Sequence, residues 1–192
     1  MTEVKINIRG LKASIADVLP VMKTGAKQHA TILAHAAVVS DGETVRFEAT
    51  DRFCVVYSTF ARASGGELFP EFRTFVDIDT LTAIKGYGAM ADLRVDGEGF
   101  VLRRGDDTTR FNVSQPGDWP DLQYFMDNAW DDEDYFTPGK ETEPAAVNPM
   151  IVKHIKDVQI IPRLNKSRKQ WRIQAKDRVK GIIMPLRHEV SE

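Results

Sequence analysis

The chain has 192 residues, 42% of them hydrophobic and 28% charged, a composition that excludes a disordered protein and allows a sizeable core. Its 26 basic and 28 acidic residues leave a net charge of −2, which excludes a uniformly basic coat and confines any nucleic-acid contact to a local basic surface. The single cysteine, Cys54, excludes an internal disulfide and a multi-thiolate metal site and suits a reducing cytoplasm, while no run of about 18 apolar residues or apolar leader points to a membrane or to export.

Val4, Ile6 and Ile8 alternate with polar neighbours over residues 3 to 9, the period of a half-buried strand. Leu11, Ile15, Val18, Leu19 and Met22 then make the stripe of an amphipathic helix, which Pro20 is expected to bend or end. Thr31 to Ser40, Thr44 to Ala49 and Phe53 to Phe60 are rich in β-branched and aromatic residues and are broken at Asp41-Gly42 and near Asp51, predicting three antiparallel strands.

Past Ser64-Gly65-Gly66 the order recurs. Arg73 to Val76 reads as a strand, and Asp79 as the N-cap of a short helix from Leu81 to Lys85. Asp92 to Val95, Phe100 to Arg103 and Thr109 to Val113 follow as strands, separated by Asp96-Gly97 and Gly105-Asp106-Asp107. The first 122 residues therefore spell β-α-βββ twice, an internally duplicated α+β domain by order of elements.

Residues 123 to 146 carry seven acids against the single base Lys140, with Pro138, Gly139 and Pro144 among them, the character of a solvated acidic connector. Its aromatics, Phe125, Trp130, Tyr135 and Phe136, point to partial docking. Asn148-Pro149 opens a helix with Ile151, Val152, Ile155 and Val158 on its apolar stripe. Strands at Val158 to Ile161, Trp171 to Ala175 and Gly181 to Met184 end a second, partial domain over 147–192. Eleven bases against Asp157 and Asp177 within residues 151 to 188 make this part strongly positive. Its densest patch is Arg163, Lys166, Arg168 and Lys169, a candidate contact for DNA or for the acidic stretch 127 to 143 of another copy.

No phosphate-binding glycine loop, HExxH, Cys-x-x-Cys or GxSxG elbow occurs, and His29, His35, His154 and His188 lack metal-site spacing. Asp77 and Asp79 read as helix-capping residues rather than a catalytic pair. The expectation is a protein without enzymatic activity, metal or cofactor; a nuclease or hydrolase has no carboxylate or histidine constellation to rest on.

Four segments carry a family resemblance: Lys27 to Leu33 (KQHATIL) with Ala49-Thr50-Asp51, Trp119-Pro120-Asp121-Leu122, Asn148 with its helix, and the near-terminal Met184-Pro185-Leu186-Arg187. In this order they resemble the bacterial DNA polymerase III beta subunit, the sliding clamp, with Thr31 where that family usually has proline. The resemblance implies a DNA-clamp-like α+β fold with antiparallel sheets and helices on one face. It covers residues 1 to 122 as one complete clamp domain and about 146 to 188 as the C-terminal half of another, a shortened form that would suit a phage in a host cytoplasm.

A ring like that of the family needs about six domains, so several copies must assemble into a homo-oligomer. Such a ring meets duplex DNA through loosely placed cations without base readout; the candidates are Lys12, Lys23, Lys27, Lys85, Lys153 and Lys156. The family seats polymerase peptides in a pocket bordered by the segment that Met184, Pro185, Leu186 and Arg187 match. Implied partners are duplex DNA, a DNA polymerase and a clamp loader, with no membrane. The alternative is a clamp-derived interaction protein that binds or inhibits a host clamp or polymerase without encircling DNA.

Overall fold

A computed structural model of the chain describes residues 4–28, 31–61, 68–85, 90–96, 99–104, 106–112, 117–130, 153, 155, 157–161 and 171–184. Strand β1 (Val4–Asn7) runs directly into helix α1 (Ile8–Ala26), so the opening strand is shorter than its alternation suggests: Ile8 is already the first buried residue of the helical stripe. Pro20 does not end α1. The apolar stripe continues past it through Val21 and Met22, both fully buried, and this packing outweighs the roughly 3 kcal/mol that an interior proline costs.

Residues Thr31–Ala34 form a 3-10 turn rather than the start of a strand. Gly25 explains the tight path: a Cβ there would lie 2.6 Å from that of Leu33. Strands β2 (His35–Ser40), β3 (Thr44–Thr50), β4 (Cys54–Ala61) and β5 (Phe72–Asp77) follow, then helix α2 (Ile78–Lys85). The cap of α2 is Asp77 and not Asp79, because the Thr80 N–H donates to Asp77 Oδ1 at 2.7 Å while Asp79 already lies inside the first turn. Strands β6 (Met90–Asp96), β7 (Gly99–Arg104) and β8 (Asp107–Asn112) complete the second run.

The two runs exchange their first strands. β1 pairs with β6 in a four-stranded sheet ordered β1-β6-β7-β8, and β5 pairs with β2 to begin the other sheet as β5-β2-β3-β4. All strand pairs are antiparallel. α1 lies across β3 and β4 with α2 beside it. Their apolar stripes close one core with Val45, Phe47, Val56 and Phe60, to which Leu102 of β7 also belongs.

The C-terminal strands β9 (Gln159–Ile161), β10 (Trp171–Ala175) and β11 (Val179–Ile183) extend the second sheet to seven strands, β11 lying against β4. Gly181 makes this joint possible. A Cβ at that position would collide with the Val55 carbonyl and the Ile173 side chain. Ile173, Val179, Ile183 and Ile155 carry the α1-side core on beneath these strands. Lys153, Ile155 and Asp157 occupy turns and a bend, so the helix expected over 151 to 158 is not formed at these three positions; Asn148, Pro149 and the rest of its first turn lie outside the described residues.

A third helix, α3 (Leu122–Trp130), stands at the start of the segment whose acidity suggests a connector. Leu122 and Met126 fall one turn apart, and together they cover Val55, Tyr57 and Ile182 on the sheet face opposite α1.

Candidate partner-binding pocket and cationic helix face

The pocket begins with a turn. Asp51 is buried, and its Oδ1 accepts hydrogen bonds from the N–H groups of Phe53 at 3.0 Å and Cys54 at 2.8 Å. The turn holds Arg52 at φ +76°, a left-handed conformation that a non-glycine residue adopts only when its neighbours fix it. Burial raises the Asp51 carboxyl above its usual range, and those N–H donors oppose the shift. The consequence is local: Phe53 is pushed outward, 56% exposed, just before the start of β4.

The end of β11 is tied to that turn, since Met184 donates its N–H to the Phe53 carbonyl at 2.7 Å. Between them, under the start of α3, lies a pocket of about 400 Å³. Val55, Ile182 and Leu122 form its floor, with Phe53, Phe125 and Met184, which are 56%, 42% and 41% exposed, around the mouth. Thr50, Pro120 and Leu33 complete the walls, and Arg52 and Asp118 supply charge of both signs. An apolar cavity with exposed aromatic and methionine side chains at its mouth can accept apolar anchors from a peptide, methionine adapting its shape to them.

Three of the segments singled out in the sequence therefore meet at one place: Ala49-Thr50-Asp51, Trp119 to Leu122, and Met184. Pro185, Leu186 and Arg187, expected beside Met184, lie outside the described residues. Arg52, Phe53 and Phe125 were not among the expected pocket residues. Their signal was the Asp51 turn and the aromatics of the 123–146 segment, but only the β4–β11 joint brings them together.

Cys54 also lines the pocket. Burial pushes its thiol well above the usual range, and the Asp51 carboxylate adds to the effect. Behind the pocket Tyr57 is buried with Arg46 stacked 4.6 Å over its ring. Burial raises the phenol above its usual range, and its hydroxyl has no hydrogen-bond partner among the described residues. Arg46 also binds buried Glu48 at 2.7 Å, and Arg73 reaches the same carboxylate at 3.3 Å. Among the described residues no group of three or more His, Cys, Asp or Glu side chains is placed to hold a metal, and no helix is long and apolar enough to cross a membrane.

On the other side of the sheet, α1 turns cations outward. Arg9 and Lys23 are exposed, Lys12 is half-buried, and Lys27, also exposed, lies in the turn just past the helix; Lys12 and Lys23 are three helical turns apart and so share a face. The one acid of α1, Asp17, points inward instead. It accepts from Ser58 Oγ at 2.7 Å and is clasped by Arg178 at 2.8 and 3.2 Å. Burial raises the Asp17 carboxyl, against the lowering effect of Arg178 and Ser58. Lys85 ends α2, whose exposed residues include Asp79, so the second helix is less cationic than the first. Lys153 is exposed in its turn. Lys156 and the patch Arg163 to Lys169 lie outside the described residues.

Two β-α-βββ runs that exchange first strands, with α1 and α2 on one side, define a DNA-clamp fold. Solved structures that share it include DNA polymerase III beta subunits, the sliding clamps. That of Thermotoga maritima superposes with a TM-score of 0.68 at 14% identity, over 98% of this chain and 65% of its own. A putative beta subunit from Eubacterium rectale gives 0.73 at 10% identity, covering 98% and 66%. The beta subunit of Streptococcus pyogenes gives 0.69 at 13%, covering 98% and 66%. The chain thus spans about two-thirds of the length of the clamps it matches. No protein-family model and no curated protein sequence matches it.

Proposed function

We propose that the chain acts as a DNA sliding clamp, a non-catalytic processivity factor whose copies close a ring around duplex DNA and hold a polymerase through the pocket at the β4–β11 joint. The observation that carries this reading is the convergence of Thr50, Phe53, Pro120, Leu122, Ile182 and Met184 on one apolar pocket in a clamp fold whose α1 face is cationic on the other side of the sheet. In this reading residues 1–122 act as a complete clamp domain and 147–192 as part of a second one, joined by the acidic segment 123–146.

Lys12, Lys23, Lys27 and Lys85, with Lys153 and Lys156, meet phosphates without reading bases, so that the duplex slides. Met184 with Pro185, Leu186 and Arg187 borders the peptide pocket. A polymerase and a clamp loader are the partners, in the cytoplasm of the cell or of a phage host. The test combines molar mass by light scattering across protein and salt concentration with retention on closed circular DNA. The expected result is a single oligomer that stays on circles and is lost when they are linearised; a persistent monomer overturns the ring.

A second reading keeps the apolar pocket without the ring: a clamp-derived protein that binds another clamp or a polymerase without encircling DNA. One-to-one binding to such a protein in the absence of DNA supports it.

A further inference from the structure

We propose that Arg52 selects which peptides the pocket receives: in the peptide-binding role proposed above, on which this rests, its guanidinium pairs with an acidic side chain standing beside the peptide's apolar anchor. Arg52 is exposed and lines the pocket next to Phe53 at the mouth. Among the described residues the one other charged group on that lining is Asp118.

The fold uses the backbone of Arg52 but not its side chain. The Arg52 N–H donates to Thr50 Oγ1 at 3.2 Å, and Asp51 Oδ1 accepts from the N–H groups of Phe53 and Cys54. The Asp51 N–H closes the turn by donating to the Cys54 carbonyl at 3.2 Å. Thr50, Asp51 and the main chain therefore hold the turn, and among the described residues the Arg52 guanidinium has neither a hydrogen bond nor an ion pair.

The same turn sets Arg52 at φ +76°, a conformation in which glycine rests without strain and a residue with a Cβ does not. Strain that the surrounding structure imposes on a residue at a binding cavity points to a use for its side chain there. Glycine would complete this turn at least as well. What arginine adds is a cation fixed at the rim of an apolar cavity.

A guanidinium in that place favours a carboxylate, because its planar fork of N–H donors matches two carboxylate oxygens. Asp118 is not paired with Arg52, so the pocket offers its two signs at separate places and an acid is drawn to the Arg52 side. The apolar anchors supply most of the affinity, and the charge at the rim supplies discrimination between partners.

The test uses the full-length protein and peptides selected on it from a random library, read by fluorescence polarisation. One selected peptide is remade with Glu, Gln or Lys beside its apolar anchor, amidated at the C-terminus so that the carboxylate tested is a side chain and not the chain end. The wild type is expected to bind the Glu form about two- to fivefold more tightly than the Gln form, the range of a partly exposed ion pair, and the Lys form most weakly. In 1 M NaCl the preference for Glu over Gln is expected to shrink. Arg52→Gly is expected to level the Glu and Gln forms while its urea midpoint holds or rises, and Arg52→Glu to invert the order so that Lys binds best. Equal affinity for Glu and Gln on the wild type, an order that Arg52→Glu leaves unchanged, or a lower urea midpoint in Arg52→Gly overturns the role of Arg52. Peptides weakened by Phe53→Ser but indifferent to charge overturn that role alone. Peptides that bind Phe53→Ser and Met184→Ser as tightly as the wild type overturn the pocket reading, and the role of Arg52 falls with it.

Discussion

Met184 and Phe53 are joined by a 2.7 Å backbone hydrogen bond from the Met184 N–H to the Phe53 carbonyl. The bond fastens the end of β11 to the turn that begins β4, and it sets two exposed apolar side chains at one pocket. Exposed large apolar groups on a cavity rim mark a place where a partner removes them from water. Peptides selected on the wild-type protein from a random library are expected to bind Phe53→Ser or Met184→Ser at least about tenfold more weakly, the loss of one buried anchor costing about 1–3 kcal/mol. Fluorescence polarisation reads this, and unchanged affinity in both variants removes the pocket from the binding surface.

The Asp51 turn holds that geometry from below. Asp51→Ala removes the acceptor for the Phe53 and Cys54 N–H groups, at an expected cost of about 1–3 kcal/mol. Peptide affinity is expected to fall with stability, whereas Asp41→Ala, at the β2–β3 turn far from the pocket, leaves affinity unchanged. Urea denaturation and the same polarisation assay separate the two effects.

Arg178 holds buried Asp17 across the α1–β4 packing. Arg178→Ala leaves that carboxylate without its cation, and the expected loss is about 2–4 kcal/mol at neutral pH. The sign with pH follows from linkage. The folded pKa of Asp17 is already raised by burial and rises further without Arg178, so the folded state holds the proton more tightly than the unfolded chain. The stability from that protonation is full below the unfolded value and is lost as pH rises through the folded one. The deficit of Arg178→Ala is therefore expected to shrink as pH falls from 7 towards 5, as measured by urea midpoints; a deficit that grows instead contradicts this account.

Gly181→Val forces a side chain against the Val55 carbonyl and Ile173 at the centre of the β4–β11 joint. Overpacking of this kind costs about 1–3 kcal/mol. Because the pocket floor is shared by Val55 and Ile182, peptide binding is expected to be lost together with the cooperative urea transition of the C-terminal strands.

The cationic face of α1 is tested by salt. Lys12→Ala, Lys23→Ala and Lys27→Ala in one protein are expected to flatten the dependence of log affinity on log salt by about 0.9 for each phosphate contact removed, up to about 2.7. An unchanged slope in a folded triple variant removes α1 and the turn that follows it from the DNA face.

The sequence alone determined the succession β-α-βββ, because alternation in the strands and the 3.6-residue stripe of α1 are local consequences of a one-sided core. It also carried the short motifs that resemble the sliding clamps, although the loss of the strand reading at Thr31–Ala34 and the move of the α2 cap from Asp79 to Asp77 show that ends of elements are set by contacts the local pattern does not contain. Pro20 made the same point from the other direction: a local helix breaker lost to the burial of Val21 and Met22. What only the tertiary structure decided was which strands meet. Strand exchange between the two runs, the seating of β11 on β4, and the folding of α3 over Val55 and Ile182 are long-range pairings, and period-two alternation specifies the face of a strand but not its neighbour. The pocket depended entirely on those pairings, since Thr50, Phe53, Leu122 and Met184 become one site only after distant backbone groups have satisfied each other's hydrogen bonds.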